Sequence, residues 1–281
     1  MIRGSFPAMG TEVIVVCETP GGIEAARRVF ARIEQQCSRF DPTSELSWLN
    51  AQPAGEVAIS PVLSSIFETA NRLREATDGL VDPAVGKSVI AWGYDTSFDD
   101  VTDKPTAPAS ETAPDWSITP GQIRRPAGVV FDLGGVAKGW ACDQAVESGI
   151  ALIASAGGDM RSSTTEAVAE VLDPWDGRAA SVKVGAGALA TSSVSRRRWR
   201  VAGRVAHHII DPRTGQPACS PILSASVVAA RAADAEAGAK AVLLHGESGL
   251  EWADRQPWVH GAVAIWGTGA VYATGSLEMV A

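Results

Sequence analysis

Long apolar runs are missing from this chain: no segment approaches the roughly 18 unbroken apolar residues that a membrane-spanning helix requires, although 46% of its residues are hydrophobic. A membrane span is excluded on that reading. The opening MIRGSFPAMG has one arginine but no apolar run of secretory length and no small-residue cleavage pattern, so a cytoplasmic location is expected. Cysteine is scarce. The four present, Cys17, Cys37, Cys142 and Cys219, lie far apart in apolar stretches and form no CxxC pair, which suits reduced core thiols better than a disulfide frame or a zinc site. Positive charge is in deficit: 24 Lys and Arg face 32 Asp and Glu, for a formal net charge of −8. That balance opposes general affinity for nucleic acid, which comes mainly from basic side chains neutralising phosphates. The one basic run, Arg196–Arg197–Arg198 with Arg200, reads first as a solvated strand or loop face. Neither the Walker pattern nor the Rossmann GxGxxG fingerprint occurs, and there is no internal repeat or coiled coil.

What is present is a chain of 281 residues with 20% charged residues, enough for one large domain or two intimately packed lobes. Thr11–Cys17 is rich in β-branched residues and predicts a strand, closed by the turn Pro20–Gly21–Gly22. From Gly22 to Cys37, Ala26, Val29, Phe30, Ile33 and Cys37 recur at helical steps, and Leu63, Ile66, Phe67, Ala70 and Leu73 repeat the pattern over Pro61–Ala76 behind a Ser60 cap. Between Asp99 and Gly128 the composition shifts to Pro, Thr, Asp and Ser, marking a long excursion or a few short strands and a candidate inter-lobe connection. Val129–Asp132 then predicts a strand, followed by a helix over Ala137–Glu147. Strands are expected at 151–155, 167–172, 179–184, 189–192 and 224–230, then an alanine-rich helix over 232–244 and a final strand pair near 263–265 and 270–273. The class expected is α+β around a largely antiparallel sheet.

Three strings carry chemistry. In Val130-Phe131-Asp132-Leu133-Gly134-Gly135-Val136-Ala137-Lys138-Gly139 an aspartate and a glycine pair precede a helix start, whose unpaired N–H groups favour an anion. Lys138 in the first turn opposes the helix dipole, a poor choice for stability alone and a pointer to function; a plain glycine turn is the competing reading. In His208-Ile209-Ile210-Asp211-Pro212-Arg213-Thr214-Gly215 the turn is set by proline and glycine. Asp211 and Arg213 could simply lock that turn, whereas His208, expected on the Ile209–Ile210 strand, could exchange protons near neutral pH, with His207 on the opposite face. The third set comprises the carboxylates of Asp78-Gly79-Leu80-Val81-Asp82-Pro83 and Gly157-Gly158-Asp159, which read equally well as ligand loops or ordinary turns.

Together these strings resemble, in order and over nearly the whole chain, the FAD:protein FMN transferase (ApbE) family. Met9-Gly10-Thr11 resembles the family's MGT, Ser38-Arg39-Phe40-Asp41-Pro42 its S-x-Y-D-P, Asp78–Gly86 its DGxFDPTVG, and Trp92-Gly93-Tyr94 its WGF. Asp132–Gly139 is similar to DLGGIAKG, and His208–Gly215 (HIIDPRTG) is the most specific match. The resemblance implies two intimately packed lobes forming a flavin-binding fold over residues 1–281, and magnesium-dependent transfer of FMN from FAD to a Thr or Ser of an acceptor protein. By it, Met9 and Phe40 border the adenine, Leu80, Val81 and Asp82 line the pocket, and Asp132, Lys138, His208 and Ile209 contact FAD. The Gly135 carbonyl is directed at the metal, and His208 and Glu236 are the candidate general bases.

One departure stands out. Ala235-Glu236-Ala237-Gly238-Ala239-Lys240-Ala241 resembles a family segment, D-A-L-A-T-A, whose aspartate and threonine are metal ligands; here they are Glu236 and Lys240. Glu236 can bind a hard cation, but an ammonium has no lone pair to offer. Either Lys240 makes a surface i,i+4 pair with Glu236, or its ammonium takes the metal's place beside Glu236 and the Gly135 carbonyl. The alternatives to transfer are FAD binding with lost or altered transferase activity, and FAD pyrophosphatase activity.

Overall fold

The computed structural model describes residues 1–96, 98–103, 112–175 and 177–280, without the side chain of residue 99. The excursion expected near 99–128 includes residues 104–111, which lie outside the described residues. The chain divides into two compact units, one of Met1–Arg32, Val136–Ser193 and Cys219–Ala281, the other of Ile33–Gly135 and Val194–Ala218.

The first unit is built on an eight-stranded antiparallel sheet: β1 (Ile2–Ala8), β2 (Thr11–Cys17), β3 (Ile153–Ala156), β4 (Asp159–Ser162), β5 (Ala188–Ser193), β6 (Ile222–Ala229), β7 (Val259–Trp266) and β8 (Val271–Gly275). Spatial order follows chain order, so each strand pairs with the next one met along the sheet. Period-two alternation explains β2, where Val13, Val15 and Cys17 are fully buried and Glu12 faces water. A smaller sheet joins Val168–Leu172, Arg178–Lys183 and Met279–Val280.

The helices are α1 (Pro20–Cys37), α2 (Glu45–Ala51), α3 (Pro61–Ala76), α4 (Gly86–Ala91), α5 (Ala137–Glu147), α6 (Ala232–His245) and α7 (Gly249–Asp254). Among the described residues, no helix is long and apolar enough to cross a membrane. The expected Ser60 cap of α3 is present, its hydroxyl accepting from Leu63 N. α6 is buried on nearly every side, as a helix of small apolar residues must be to gain stability from packing.

In the second unit a three-stranded sheet (Gly55–Ala58, Gln122–Arg125, Ser117–Thr119) accompanies two short hairpins, Arg198–Val201 with Arg204–His207 and Ile210–Asp211 with Gln216–Pro217. Its core includes Trp92, Tyr94, Trp199, Val201 and Ile210, and an edge-to-face triad of Phe67, Trp116 and Phe131. In the basic run, Arg198 and Arg200 are exposed and alternate with buried Trp199 and Val201, the solvated strand face expected of them.

Two expectations are corrected here. Val129–Asp132 is not a strand: Asn50 takes the place of a partner strand, its Oδ1 accepting from Phe131 N at 2.8 Å and its Nδ2 donating to Phe131 O at 2.9 Å. Asp132 N donates to Pro83 O at 2.8 Å, so the segment's backbone is satisfied without a ladder. Cys17, Cys37 and Cys142 are buried free thiols as expected, but Cys219 is exposed because it lies just before β6, in the turn-rich stretch that precedes the sheet.

Candidate functional site

The first unit brings four ionisable side chains together in its interior. α5 crosses α6 closely at Gly139, where a Cβ would stand 2.7 Å from Ala233 N and 2.8 Å from Ala232 O. That approach sets Lys138, one residue earlier, against Glu236 on α6: Lys138 Nζ donates to Glu236 Oε1 at 3.0 Å. Lys240, one turn further along α6, donates to the same oxygen at 3.1 Å. Glu236 Oε2 accepts from Gly139 N at 3.4 Å, so this carboxylate also serves the start of α5, whose N-cap Val136 offers no side chain. The expected conflict between Lys138 and the helix dipole is offset by the anion lodged at that helix start.

Asp159 completes the group. Gly157 and Gly158 form the two-residue turn between β3 and β4 with φ of 60° and 102°, left-handed values that glycine takes without strain. Lys138 passes over this turn, since a Cβ on Gly157 would meet its Cε at 3.4 Å. Asp159 Oδ2 then lies 3.4 Å from Lys138 Nζ. Burial, and next the charge of Glu236, push the Asp159 carboxyl above the usual range, with Lys138 opposing. Burial also works against the charge on Glu236, but Lys138 and Lys240 outweigh it and hold that carboxyl below its ordinary range.

The pair Glu236–Lys240 is therefore not on the surface: the side chains are 4% and 16% exposed. Helical spacing alone could place the two together, but not in the interior, because the burial comes from β-sheet and helix packing that their seven-residue string does not encode. The link from Lys138 to Glu236 joins positions 98 apart in sequence and has no local signal. Asp143, passed over in the sequence, is the anchor of the same crossing: its Oδ1 accepts from Ala232 N at 2.8 Å and its Oδ2 from Ala233 N at 3.1 Å, capping α6.

The second unit holds most of the other candidates. Arg39 joins several of them: its Nε donates to Asp132 Oδ2 at 2.9 Å, its Nη2 donates to Tyr94 O at 2.8 Å, and its guanidinium lies 4.3 Å from the centre of the Phe40 ring. Asp132 Oδ1 accepts from Gly134 N at 2.7 Å, tying the aspartate to the glycine pair. Phe40 is 40% exposed and tilts against Tyr94, whose ring meets the edge of His208 at 6.5 Å. Asp82 Oδ1 accepts from Trp116 Nε1 at 2.9 Å and Ala84 N at 2.8 Å; burial raises its pKa, opposed by these hydrogen bonds and Arg74. Leu80 and Val81 are buried beside it.

His208 and Ile209 do not lie on a strand as expected; they form the bend between Arg204–His207 and Ile210–Asp211. His207 holds that bend: its ring makes a hydrogen bond with Ala218 O at 3.1 Å through Nε2 and accepts from Ile209 N at 3.3 Å through Nδ1. Burial pushes its pKa down to about 4. Asp211 and Arg213 do lock the following turn, with Nη2 to Oδ2 at 2.7 Å, and Trp92 Nε1 donates to Gly215 O at 2.9 Å, tying the tryptophan string to the histidine string. Met9 sits at φ 53° in the turn between β1 and β2, and Gly135 in the turn ahead of α5.

The chain matches the profile of the ApbE family over residues 9–263. It is similar to the FAD:protein FMN transferase of Rhodobacter capsulatus, 33% identical over 97% of this chain and 57% of that protein. The enzyme of the same name from Chlamydia pneumoniae is 29% identical over 81% of this chain and 78% of its own length. The chain thus spans little more than half the length of the Rhodobacter relative. Among solved structures, the ApbE protein of Thermotoga maritima superposes with a TM-score of 0.83 at 26% identity, covering 96% of each chain.

Proposed function

Because the chain belongs to the ApbE family, we propose that it is an FAD:protein FMN transferase, moving FMN from FAD to a Thr or Ser hydroxyl of an acceptor protein. What carries the reading is the family match over residues 9–263, supported by relatives of that activity aligned over 97% and 81% of the chain. Both units together are read as one ApbE-like domain. Met9, Phe40, Leu80, Val81, Asp82, Asp132, Lys138, His208 and Ile209 are read as the residues that bind or shape the FAD site. Phe40 supports this with an exposed aromatic face suited to stacking.

In the reaction the acceptor oxygen attacks the phosphorus of the FMN half, the bond from that phosphorus to the bridging oxygen breaks, and AMP leaves with the electron pair. The hydroxyl proton passes to a base. Glu236 is held charged by two ammoniums and is a weak proton acceptor for that reason, which favours His208 as the base. Mg2+ does not fit the donors present. Glu236 Oε1 already accepts from two ammoniums, and Lys240 contributes a positive charge where a cation needs a lone pair.

Incubation with FAD and an acceptor bearing a target threonine should give a covalently fluorescent acceptor and one AMP per flavin transferred. AMP with free FMN would instead mark a pyrophosphatase, and FAD retention without either product a binding protein. His208→Asn should lower transfer by roughly a hundredfold or more while FAD binding persists; an unchanged rate would remove His208 as the base.

A further inference from the structure

Arg39 is a costly side chain to hold where it is. It is 7% exposed and its ion-pair partner Asp132 is 17% exposed, and charges taken out of water must be closely matched or they weaken the fold. Stability alone does not explain it, because a buried ion pair can often be exchanged for apolar groups of similar volume without loss. What an apolar side chain could not do is tie three pieces of the second unit together. Arg39 Nε donates to Asp132 Oδ2 at 2.9 Å and Nη2 donates to Tyr94 O at 2.8 Å, across 93 and 55 residues of chain. Its planar cation also lies 4.3 Å from the centre of the Phe40 ring and 5.5 Å from that of Tyr94. Those two rings are 5.3 Å apart. One guanidinium therefore sets a carboxylate and a half-exposed aromatic face relative to each other.

Resting on the transferase reading and on its assignment of Phe40 and Asp132 to the FAD site, we propose that Arg39 is a positioning residue for FAD. It fixes the Phe40 ring as a stacking face and compensates the Asp132 charge before the dinucleotide arrives. A ring already held against a cation and a second ring loses less freedom when a ligand stacks on it, so less binding energy is spent on ordering. Compensation matters because FAD carries an anionic diphosphate, which a bare carboxylate among its contacts would repel. Asp132 is satisfied at both oxygens, Oδ2 by Arg39 and Oδ1 by Gly134 N at 2.7 Å. Lysine could not replace the arginine, since a single ammonium cannot bridge a carboxylate and a carbonyl while lying flat along a ring. Arg39 acts through Phe40 and Asp132 and takes no part in proton or phosphoryl transfer.

The test is FAD affinity of the full chain, read by flavin fluorescence, beside steady-state transfer and the thermal midpoint. Arg39→Met should weaken FAD binding by about tenfold or more, with a smaller fall in turnover at saturating FAD. Arg39→Lys, which keeps the charge and serves if the methionine variant fails to fold, should also bind FAD more weakly than the wild type. In a Phe40→Leu background the Arg39 substitution should have a clearly smaller effect, the mark of two residues acting as one. Wild-type affinity in either variant, a lowered midpoint with affinity unchanged, or effects of Arg39 and Phe40 that simply add overturns the proposal and leaves the transferase reading intact. FAD binding by the wild type without transfer is a failure of the transferase reading alone. Absence of FAD binding overturns the site assignment and the proposal with it.

Discussion

His207 shows how one side chain can make the fold sensitive to acid. Burial disfavours a charge on its ring, and a proton added at Nδ1, which accepts from Ile209 N, would face another N–H. With its pKa depressed from 6.5 to about 4, the stability it contributes is present above pH 6.5 and is lost as pH falls through about 4. The loss amounts to about 3 kcal/mol over that window. Urea unfolding at a series of pH values should therefore show less dependence in His207→Gln than in the wild type; parallel curves would refute the assignment. Gly139 is a second sensitive position. A methyl group there meets the Ala232–Ala233 backbone, which cannot move aside as a flexible side chain could. Gly139→Ala should lower the unfolding free energy by about 1–3 kcal/mol and reduce transfer by displacing Lys138 from Glu236.

At the scale of elements, α6 depends on α5 for its start. Asp143 is fully buried and accepts from the first two N–H groups of α6, with Arg161 and Arg231 at 3.5 and 3.7 Å. Asp143→Ala should cost about 2 kcal/mol or more, leaving buried donors unmatched. Amide exchange should speed first at Ala232 and Ala233. How much of this was legible beforehand divides by the range of the interaction. The periodicity of α1 and α3 and the Ser60 cap are local, and the sequence displays them without help. Val129–Asp132 has strand composition but meets the Asn50 side chain, whose position 81 residues from Phe131 no window of sequence discloses. The Glu236–Lys240 contact was legible as an i,i+4 spacing within one string, whereas the arrival of Lys138 at the same oxygen arises from the α5–α6 crossing, as does the role of Asp143. Arg39 was visible only as part of a string, because what defines it is the set of groups it bridges in three dimensions.

For the molecule as a whole, the proposed FAD site would tie stability to ligand concentration. FAD at about a hundred times its dissociation constant should raise the unfolding free energy by about 2.7 kcal/mol, read as a shift in the thermal midpoint. Adenosine alone at the same concentration should shift it less, because it lacks the diphosphate; an equal shift would argue against recognition of the diphosphate. The net charge of −8 leaves the acceptor protein, and not a nucleic acid, as the macromolecular partner in this reading. The cysteines carry a practical consequence. Burial pushes the Cys37 thiol up to about 12 and raises Cys17 and Cys142 as well, whereas Cys219 is open to water. A maleimide dye added to the native protein will settle at one address, giving a ready-made optical handle just ahead of β6 with no engineering of the chain.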